Sequence, residues 1–225
     1  MNRELSLDYL IKFLEFCKNK LNYNPIILGG WAVYVLTKKE MSVDVDVLLK
    51  SKEDIGKIKE FFDRDNFKIE IDRKGNITFE KILESHMMID DVKINSIIFD
   101  IMLEKEENFL HENKNISIPW SLSFKYNKNI KYKEVDLKIP LPELLLIYKI
   151  KAYRDRTFDK FKFMEHMKHK KIWQTRKDFK INKDKRDILN LLELVKLDSE
   201  IINKILNKTS FRVKFNETFN EINKF

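Results

Sequence analysis

The sequence predicts an α+β fold, with a mixed sheet flanked by helices in residues 1–140 and a helical domain in residues 141–225. The first part contains short apolar or alternating runs separated by turn residues, which is typical of strands. The second part has apolar residues at helical spacing. Pro140-Leu141-Pro142 separates the two patterns, and we place the domain boundary there.

The chain begins with a predicted helix. Ser6 is expected to cap a helix that runs from residue 7 to about residue 21, and Cys17 falls on its apolar stripe. Because Cys17 is the single cysteine, no disulfide can form within the chain, and we expect a reducing compartment, the cytoplasm. We find neither a signal-peptide pattern nor an apolar run of membrane-spanning length, so no membrane partner is expected.

A strand, a glycine turn and a helix are predicted next. Residues 25–28 form a short apolar run that is consistent with a buried strand. Gly29 and Gly30 then permit a tight turn and a close approach of the backbone to another group. Residues 31–36 are apolar and favour a helix, whose N-terminus would offer free N–H groups to a phosphate.

A second strand, within residues 42–49, carries two aspartates. Because side chains alternate along a strand, Asp44 and Asp46 share one face. Two carboxylates so close repel each other unless a cation lies between them, and Mg²⁺ is a common solution. An edge strand with a solvated acidic face is the alternative, and this strand alone does not decide between the two.

A third acid, Asp100, lies in the apolar run 97–103, which indicates an interior strand. Burying a lone carboxylate costs free energy unless it is paired or binds a metal. The alternative is that Asp100 lies on the solvated face of a half-buried strand. We favour the first interpretation because Ile98 and Met102, on the same face, are apolar.

Taken together, Gly29-Gly30, Ser42-x-Asp44-x-Asp46 and Asp100 resemble the motifs of the DNA polymerase β-like nucleotidyltransferase superfamily. The resemblance implies the nucleotidyltransferase fold and a reaction that moves a nucleotidyl group from an NTP, such as ATP, to a hydroxyl with release of pyrophosphate. It implies that Asp44, Asp46 and Asp100 are catalytic and hold two Mg²⁺ ions. It also implies that the glycine turn and Ser42 contact the nucleotide.

The rest of the first part contains a helix and further strands. Ser51 is expected to open a helix that runs to about residue 62. Residues 67–72 alternate as a half-exposed strand should, as do residues 132–139. Residues 116–124 predict another strand or an extended insert.

The second part predicts four helices. Pro142 suits a first helical position, and the first two helices are predicted over 143–156 and 187–195. Asp198 or Ser199 is expected to cap the third helix, and Ser210 the fourth. His166 and His169 have a spacing that can bind a metal, but no third ligand is evident and we treat them as exposed polar residues.

The helix at 141–152, with Arg156, resembles a helix of the AbiEii-type nucleotidyltransferases, enzymes of abortive-infection toxin–antitoxin systems. Lys183-Asp184-Lys185-Arg186-Asp187 matches their Lys-Asp-x-x-Asp segment. The resemblance implies that Lys149 reaches the nucleotide phosphates, that Asp184 organises the base or the lysine, and that an antitoxin is a partner. Lys151 and Lys177-Asp178 are competing matches.

Two motif positions depart from the family pattern. Glu40 stands where many relatives carry an arginine, so Lys38 and Lys39 would have to substitute or the role is absent. Gly30 stands where a serine is frequent, so phosphate contact would depend on backbone N–H groups.

Composition bears on the acceptor. A net charge of +8 favours an anionic partner. The basic stretch 157–186, with interleaved aromatic residues, is either a solvated helical face, which we favour slightly, or a groove for nucleic acid. The expected acceptor is therefore RNA, such as a tRNA end, a small molecule such as an antibiotic, or a protein side chain. A non-catalytic nucleotide-binding member of the fold is the rival from another class.

Overall fold

The computed structural model describes residues 2–71, 77–83, 96–166 and 171–223, with the side chains of residues 2–3, 163–166 and 171–177 outside the description. The helices are α1 (Asn2–Lys20), α2 (Gly29–Thr37), α3 (Lys52–Arg64), α4 (Leu122–Lys125), α5 (Pro142–His166), α6 (Lys171–Leu194), α7 (Ser199–Leu206) and α8 (Arg212–Ile222). The strands are β1 (Ile26–Ile27), β2 (Asp44–Leu49), β3 (Lys68–Ile71), β4 (Ile77–Ile82), β5 (Ser96–Leu103), β6 (Glu107–Phe109), β7 (Ser117–Pro119), β8 (Asn127–Tyr132) and β9 (Val135–Pro140).

One large mixed sheet organises the chain. Its seven strands lie in the order β3-β4-β5-β2-β1-β9-β8. The pairs β2–β5 and β1–β9 are parallel, and the other neighbours are antiparallel. Strands β6 and β7 form a separate antiparallel pair. The predicted α+β class, with a mixed sheet flanked by helices, is confirmed.

Helices α1 and α3 cover one face of this sheet through a cluster of aromatic side chains. Phe13 of α1 lies 5.2 Å from Phe99 of β5 between ring centroids. Phe62 of α3 stacks on Phe79 of β4 with centroids 4.0 Å apart. Cys17 is fully buried among these side chains, as predicted. Because neighbouring strand residues point to opposite faces, Asp100 faces away from this core.

The glycine turn packs against the helical part of the chain. Helix α2 contacts both α5 and α6. A run of buried apolar residues in α5, Leu144–Ile147, packs in the same core as Ile188 and Leu191 of α6. This packing brings the α5–α6 pair next to the start of α2, where the motif glycines lie.

Several helix ends differ from the prediction. Helix α1 begins at Asn2, so Ser6 is a buried interior residue and not a cap. Helix α8 begins after Phe211, and Ser210 instead accepts a hydrogen bond from the backbone N–H of Ser117. The cap at Asp198 is confirmed, since its side chain accepts from two backbone N–H groups of α7.

Both α5 and α6 are longer than predicted: α5 continues past residue 156 to His166, and α6 begins at Lys171, well before residue 187. Pro142 is the first residue of α5, as expected, and Ser51 precedes α3, as expected. The division at residue 140 into two domains stays a prediction. No described helix is long and apolar enough to cross a membrane.

The remaining strand predictions are met in part. Residues 116–124 form β7 and α4, and residues 132–139 span the turn and second strand of the β8–β9 hairpin. All four residues of β3 are exposed, where the sequence predicts one exposed face. Strand β4 was not predicted. His169 and the side chain of His166 lie outside the described residues.

Candidate active site

The parallel pairing of β2 with β5 places Asp46 directly beside Asp100. Residues aligned on neighbouring strands point to the same face, and Asp44 shares that face with Asp46. The three acids therefore face one side of the sheet, opposite the aromatic core. Strand β5 is interior, as predicted, but its Asp100 face is the more accessible of the two.

The carboxylates disfavour one another's charge. Burial, followed by the neighbouring charge of Asp100, raises the pKa of Asp46 to about 6, and Lys149 partly offsets this effect. Burial also raises the pKa of Asp100, while a 2.8 Å hydrogen bond donated by Thr78 Oγ1 opposes the rise. A cation added at this end of the site would stabilise the charged carboxylates.

The glycine turn presses against Asp46. Gly29 has φ +60°, in the left-handed region that favours glycine, and begins α2. The N–H of Leu28 donates to the carbonyl of Asp46 at 2.9 Å, which fixes the turn to β2. A Cβ at Gly29 would overlap the Asp46 carboxylate. The absent side chain is therefore what lets the carboxylate lie on the backbone of the turn.

Gly30 leaves room for two other groups. A Cβ at this position would lie 2.7 Å from both Lys183 Nζ and Ser42 Oγ. Real Cβ atoms do not approach other atoms so closely, so any side chain here would displace one or both groups. Gly30 thus leaves room at the turn for the Lys183 ammonium and the Ser42 hydroxyl, and of these two groups the sequence had assigned only Ser42 to the nucleotide.

A second acidic cluster lies across from the first, and it is saturated with cations. Lys149 Nζ lies 2.6 Å from Asp187 Oδ2 and 3.6 Å from Asp184 Oδ1. Arg156 pairs with the other oxygen of Asp184, and Lys183 lies 3.7 Å from Asp187. Both aspartates are almost completely buried, which is tolerable because they share three cations.

The two clusters line one cavity of about 500 Å³. All eight residues that the sequence singles out lie in its wall: Gly29, Gly30, Ser42, Asp44, Asp46, Asp100, Lys149 and Asp184. They come from segments up to 155 positions apart in the chain, between Gly29 and Asp184. The sequence patterns therefore identified residues that the fold brings to one place.

The structure separates the competing matches of the helical part. Lys151 pairs with Asp155 at 2.5 Å, although it also lines the cavity. Asp178 pairs with Lys160 at 2.5 Å. Of the competing matches, Lys149 and Asp184 are thus the two that contact each other.

Sequence reasoning missed three contributors to the site. Thr78 lies on the unpredicted strand β4, although the alternation of Ile77, Thr78 and Phe79 was a signal for a strand. Lys183 stands within the matched Lys-Asp-x-x-Asp segment but was given no role of its own. Lys180, one turn earlier on α6, also lines the cavity, and its spacing of three from Lys183 was the available signal.

Glu40 lies at the rim of the cavity and forms an ion pair of 3.1 Å with Arg186. The cavity wall includes neither Lys38 nor Lys39, and Lys38 lies over the ring of Tyr132 instead. Of the two alternatives, substitution by these lysines is therefore not what the structure has. The ion pair with Glu40 instead places an arginine, Arg186, next to the position where many relatives carry theirs.

The three carboxylates of β2 and β5 fit a divalent cation in chemistry and in placement, because they are hard oxygen ligands on one wall of a cavity. As placed, no group of three or more Asp, Glu, His or Cys side chains in the described ranges is arranged to hold a metal ion. Asp44 and Asp100 raise the pKa of Asp46, and Asp44 raises that of Asp100, so a closer arrangement is disfavoured without a cation. A cation would have to draw them together.

Comparison with known proteins gives a likeness of structure but not of sequence. No family model and no curated protein matches the chain. The structure is similar to that of a candidate nucleotidyltransferase from Thermotoga maritima, with a TM-score of 0.50 and 17% identity over 74% of this chain and 97% of that one. An antigenic nucleotidyltransferase-like protein from Paracoccidioides brasiliensis has a TM-score of 0.49 and 14% identity over 96% of this chain and 91% of that one. The chain has the nucleotidyltransferase fold.

Proposed function

We propose that the protein is a metal-dependent nucleotidyltransferase that moves a nucleotidyl group from an NTP to a hydroxyl acceptor. The observation that carries the proposal is the alignment of Asp46 with Asp100 on the wall of a cavity that the glycine turn also lines. An acid cluster whose repulsion the nearby lysines only partly offset and a turn that lies beside Lys183 are complementary to a metal–triphosphate complex.

In this mechanism the acceptor oxygen bonds to the α-phosphorus, and the bond from that phosphorus to the oxygen bridging to the β-phosphate breaks. Pyrophosphate leaves. Asp100 takes the hydroxyl proton, a role that its raised pKa favours because a stronger base accepts a proton more readily. Thr78 holds the Asp100 carboxylate in orientation through its 2.8 Å hydrogen bond.

Asp44, Asp46 and Asp100 are the residues that would hold two Mg²⁺ ions, which supply activation of the incoming hydroxyl and neutralisation of the triphosphate. Gly29, Gly30 and Ser42 form the bend beside the phosphates. Lys149, with Asp184, belongs to a cationic group that offsets the charge developing on the pyrophosphate.

The acceptor that we favour is RNA, such as a tRNA end. In support, Phe179 is 55% exposed at the cavity and Phe161 is 64% exposed on α5, so both can stack on bases. Lys180, in the cavity wall, is available for a phosphate contact nearby. The finer assignment to the AbiEii-type branch, with an antitoxin partner, belongs to this proposal and draws support from the contact between Lys149 and Asp184.

Activity is tested by incubating the protein and labelled ATP, GTP, CTP or UTP with Mg²⁺ and either total RNA or a panel of hydroxyl-bearing antibiotics. Asp46→Asn is expected to abolish label transfer, and the matched control is Asp136→Asn, which changes an exposed strand aspartate. Transfer that survives in Asp46→Asn at the wild-type rate would contradict the proposal. Label on an antibiotic and none on RNA would keep the reaction and reject the RNA acceptor.

A non-catalytic nucleotide-binding member is the second candidate, and Glu40 favours it because an acid occupies the position where many relatives carry an arginine. Calorimetry with NTP in the presence and absence of Mg²⁺ separates the two candidates. An enzyme is expected to bind NTP in a Mg²⁺-dependent manner. A module that has lost catalysis is expected to bind without metal dependence and to transfer no label.

A further inference from the structure

Lys183 and Lys149 carry the two ammonium groups nearest the second acidic cluster, but they differ in how far their charge is already matched. Asp187 Oδ2 lies 2.6 Å from Lys149 and 3.7 Å from Lys183. Lys149 has Asp184 as a second partner at 3.6 Å. Lys149 is therefore held between two carboxylates, whereas Lys183 makes only the longer of the two ion pairs with Asp187.

The two side chains also differ in access to the cavity. The Lys149 side chain is 8% exposed, and the Lys183 side chain is 19% exposed. The ammonium of Lys183 reaches the glycine turn, since a Cβ at Gly30 would lie only 2.7 Å from it. An anion that enters the cavity beside the turn meets Lys183 before it meets Lys149.

The charges of this group leave one positive charge unmatched. Lys149, Lys183 and Arg156 share the carboxylates of Asp184 and Asp187. The least tightly paired of the three is Lys183, which lies at the glycine turn and is also attracted by the Asp46 carboxylate. Burial and the neighbouring Lys149 lower the pKa of Lys183, so an anion bound there would relieve both effects.

We infer that Lys183 binds the nucleotide triphosphate directly, and that Lys149 is a positioning residue that holds Asp184 and Asp187 in place behind it. The inference rests on the proposed function, because it assigns a residue to the phosphate side of that site. It also explains why residue 30 is a glycine, since a side chain there would displace the ammonium of Lys183 from the turn.

The test is calorimetric titration, in the presence of Mg²⁺, of the α,β-methylene analogue of the NTP that the wild type binds best. The corresponding monophosphate is titrated in parallel. Lys183→Met is expected to weaken binding of the triphosphate analogue about 10- to 100-fold, which is typical for the loss of one charged hydrogen bond. Binding of the monophosphate should change by less than about 3-fold. Lys183→Arg should recover much of the triphosphate affinity.

Two further variants make the result specific. Lys204→Met removes the same charge from an exposed position on α7 outside the cavity, and it should leave both affinities unchanged. Gly30→Ala keeps the lysine but pushes its ammonium away from the turn, so it should reproduce the selective loss of triphosphate affinity. This variant also keeps the inference testable if Lys183→Met does not fold.

An unchanged triphosphate affinity in folded Lys183→Met would overturn the inference and, if that variant does not fold, so would an unchanged affinity in Gly30→Ala. So would an equal loss for the triphosphate and the monophosphate in Lys183→Met. A wild type that binds no NTP at all with Mg²⁺ would instead overturn the proposed function. The two failures are therefore distinguishable in one set of titrations.

Discussion

The cavity has two acidic clusters on its walls, and they are built in opposite ways. Asp44, Asp46 and Asp100 share one face of the sheet, and burial followed by the charge of Asp100 raises the pKa of Asp46 to about 6, which nearby lysines only partly offset. Asp184 and Asp187 are more deeply buried, yet they are matched by two lysines and an arginine. The first cluster is complementary to a cation from solution, whereas the second is complete within the chain.

The comparison teaches that burial of acids alone does not mark a metal site. What distinguishes the two clusters is whether the fold supplies the compensating charge. A cluster that the fold completes is a structural element, and breaking it should cost stability. A cluster that the fold leaves incomplete is strained by its own charge, and changing it should cost activity while stability stays level or improves.

The largest expected effect on stability is at Lys149. Lys149→Met should lower the free energy of unfolding by about 3–5 kcal/mol, because it leaves the buried Asp187 carboxylate without its closest cation. Lys183→Met should cost less than about 1 kcal/mol, since burial already disfavours the charge of Lys183. Urea unfolding at neutral pH measures both. Equal losses in the two variants would show that the cluster is not organised around Lys149.

The largest expected effect on activity from a single methyl group is at the glycine turn. Gly29→Ala should lower the rate about 100-fold or more, because the new Cβ displaces the Asp46 carboxylate and the left-handed backbone is strained. Steady-state rates measure the loss. The matched control is Gly56→Ala, in α3, where a Cβ meets no atom within 4 Å. That variant should keep full activity and gain about 0.5–1 kcal/mol in stability.

The raised pKa of Asp46 predicts a pH dependence of stability. In the folded protein the carboxyl titrates near pH 6, and in the unfolded chain near its ordinary value of 3.8. The folded state therefore binds more protons between these values, and folding is penalised above pH 6. Relative to Asp46→Asn, the free energy of unfolding of the metal-free wild type should fall by about 2–3 kcal/mol as pH rises from about 4 to about 6. Above pH 6 the difference should stay constant.

Urea unfolding of the wild type and Asp46→Asn with a chelator, at half-unit steps of pH, tests this dependence. Other titrating groups are common to both proteins and cancel in the difference. If the wild type instead lost stability relative to Asp46→Asn as pH falls, the assignment would be contradicted. That result would mean that the folded state stabilises the charged carboxylate.

The smallest effect is expected at Thr78, which supports Asp100 from the neighbouring strand. Thr78→Val removes the 2.8 Å hydrogen bond while keeping the shape of the side chain. Activity should fall about 10-fold, in the range found when the partner of a metal-binding carboxylate is lost. The rate measured against pH should also rise at a higher pH than in the wild type, because this hydrogen bond lowers the pKa of Asp100. An unchanged profile would assign Thr78 a packing role only.

The acid cluster of β2 and β5 could be predicted from the sequence because its signals are local. Strand alternation places Asp44 and Asp46 on one face, and the charge of Asp100 interrupts an apolar run. The same reasoning did not reveal that Thr78 supports Asp100, because strand β4 is rich in polar residues and its pairing with β5 is a contact between distant segments.

The second cluster was harder to predict because its charges are matched in three dimensions. Lys149 lies on α5, while its partners Asp184 and Asp187 lie more than thirty positions later on α6. The sequence indicated the residues only through a family resemblance, and it could not show that Lys183 lies nearest the turn. Helix ends were also misplaced where a plausible cap, such as Ser6, falls inside a longer helix.

The central claim, that one cluster requires a cation from solution and the other does not, is tested most directly by thermal unfolding with and without Mg²⁺ at fixed ionic strength. Mg²⁺ should raise the unfolding temperature of the wild type, by the equivalent of about 2.7 kcal/mol at a hundredfold excess over its dissociation constant. Asp184→Asn should show the same shift, and Asp46→Asn should show none. A shift of equal size in Asp46→Asn, or no shift in the wild type, would contradict the account.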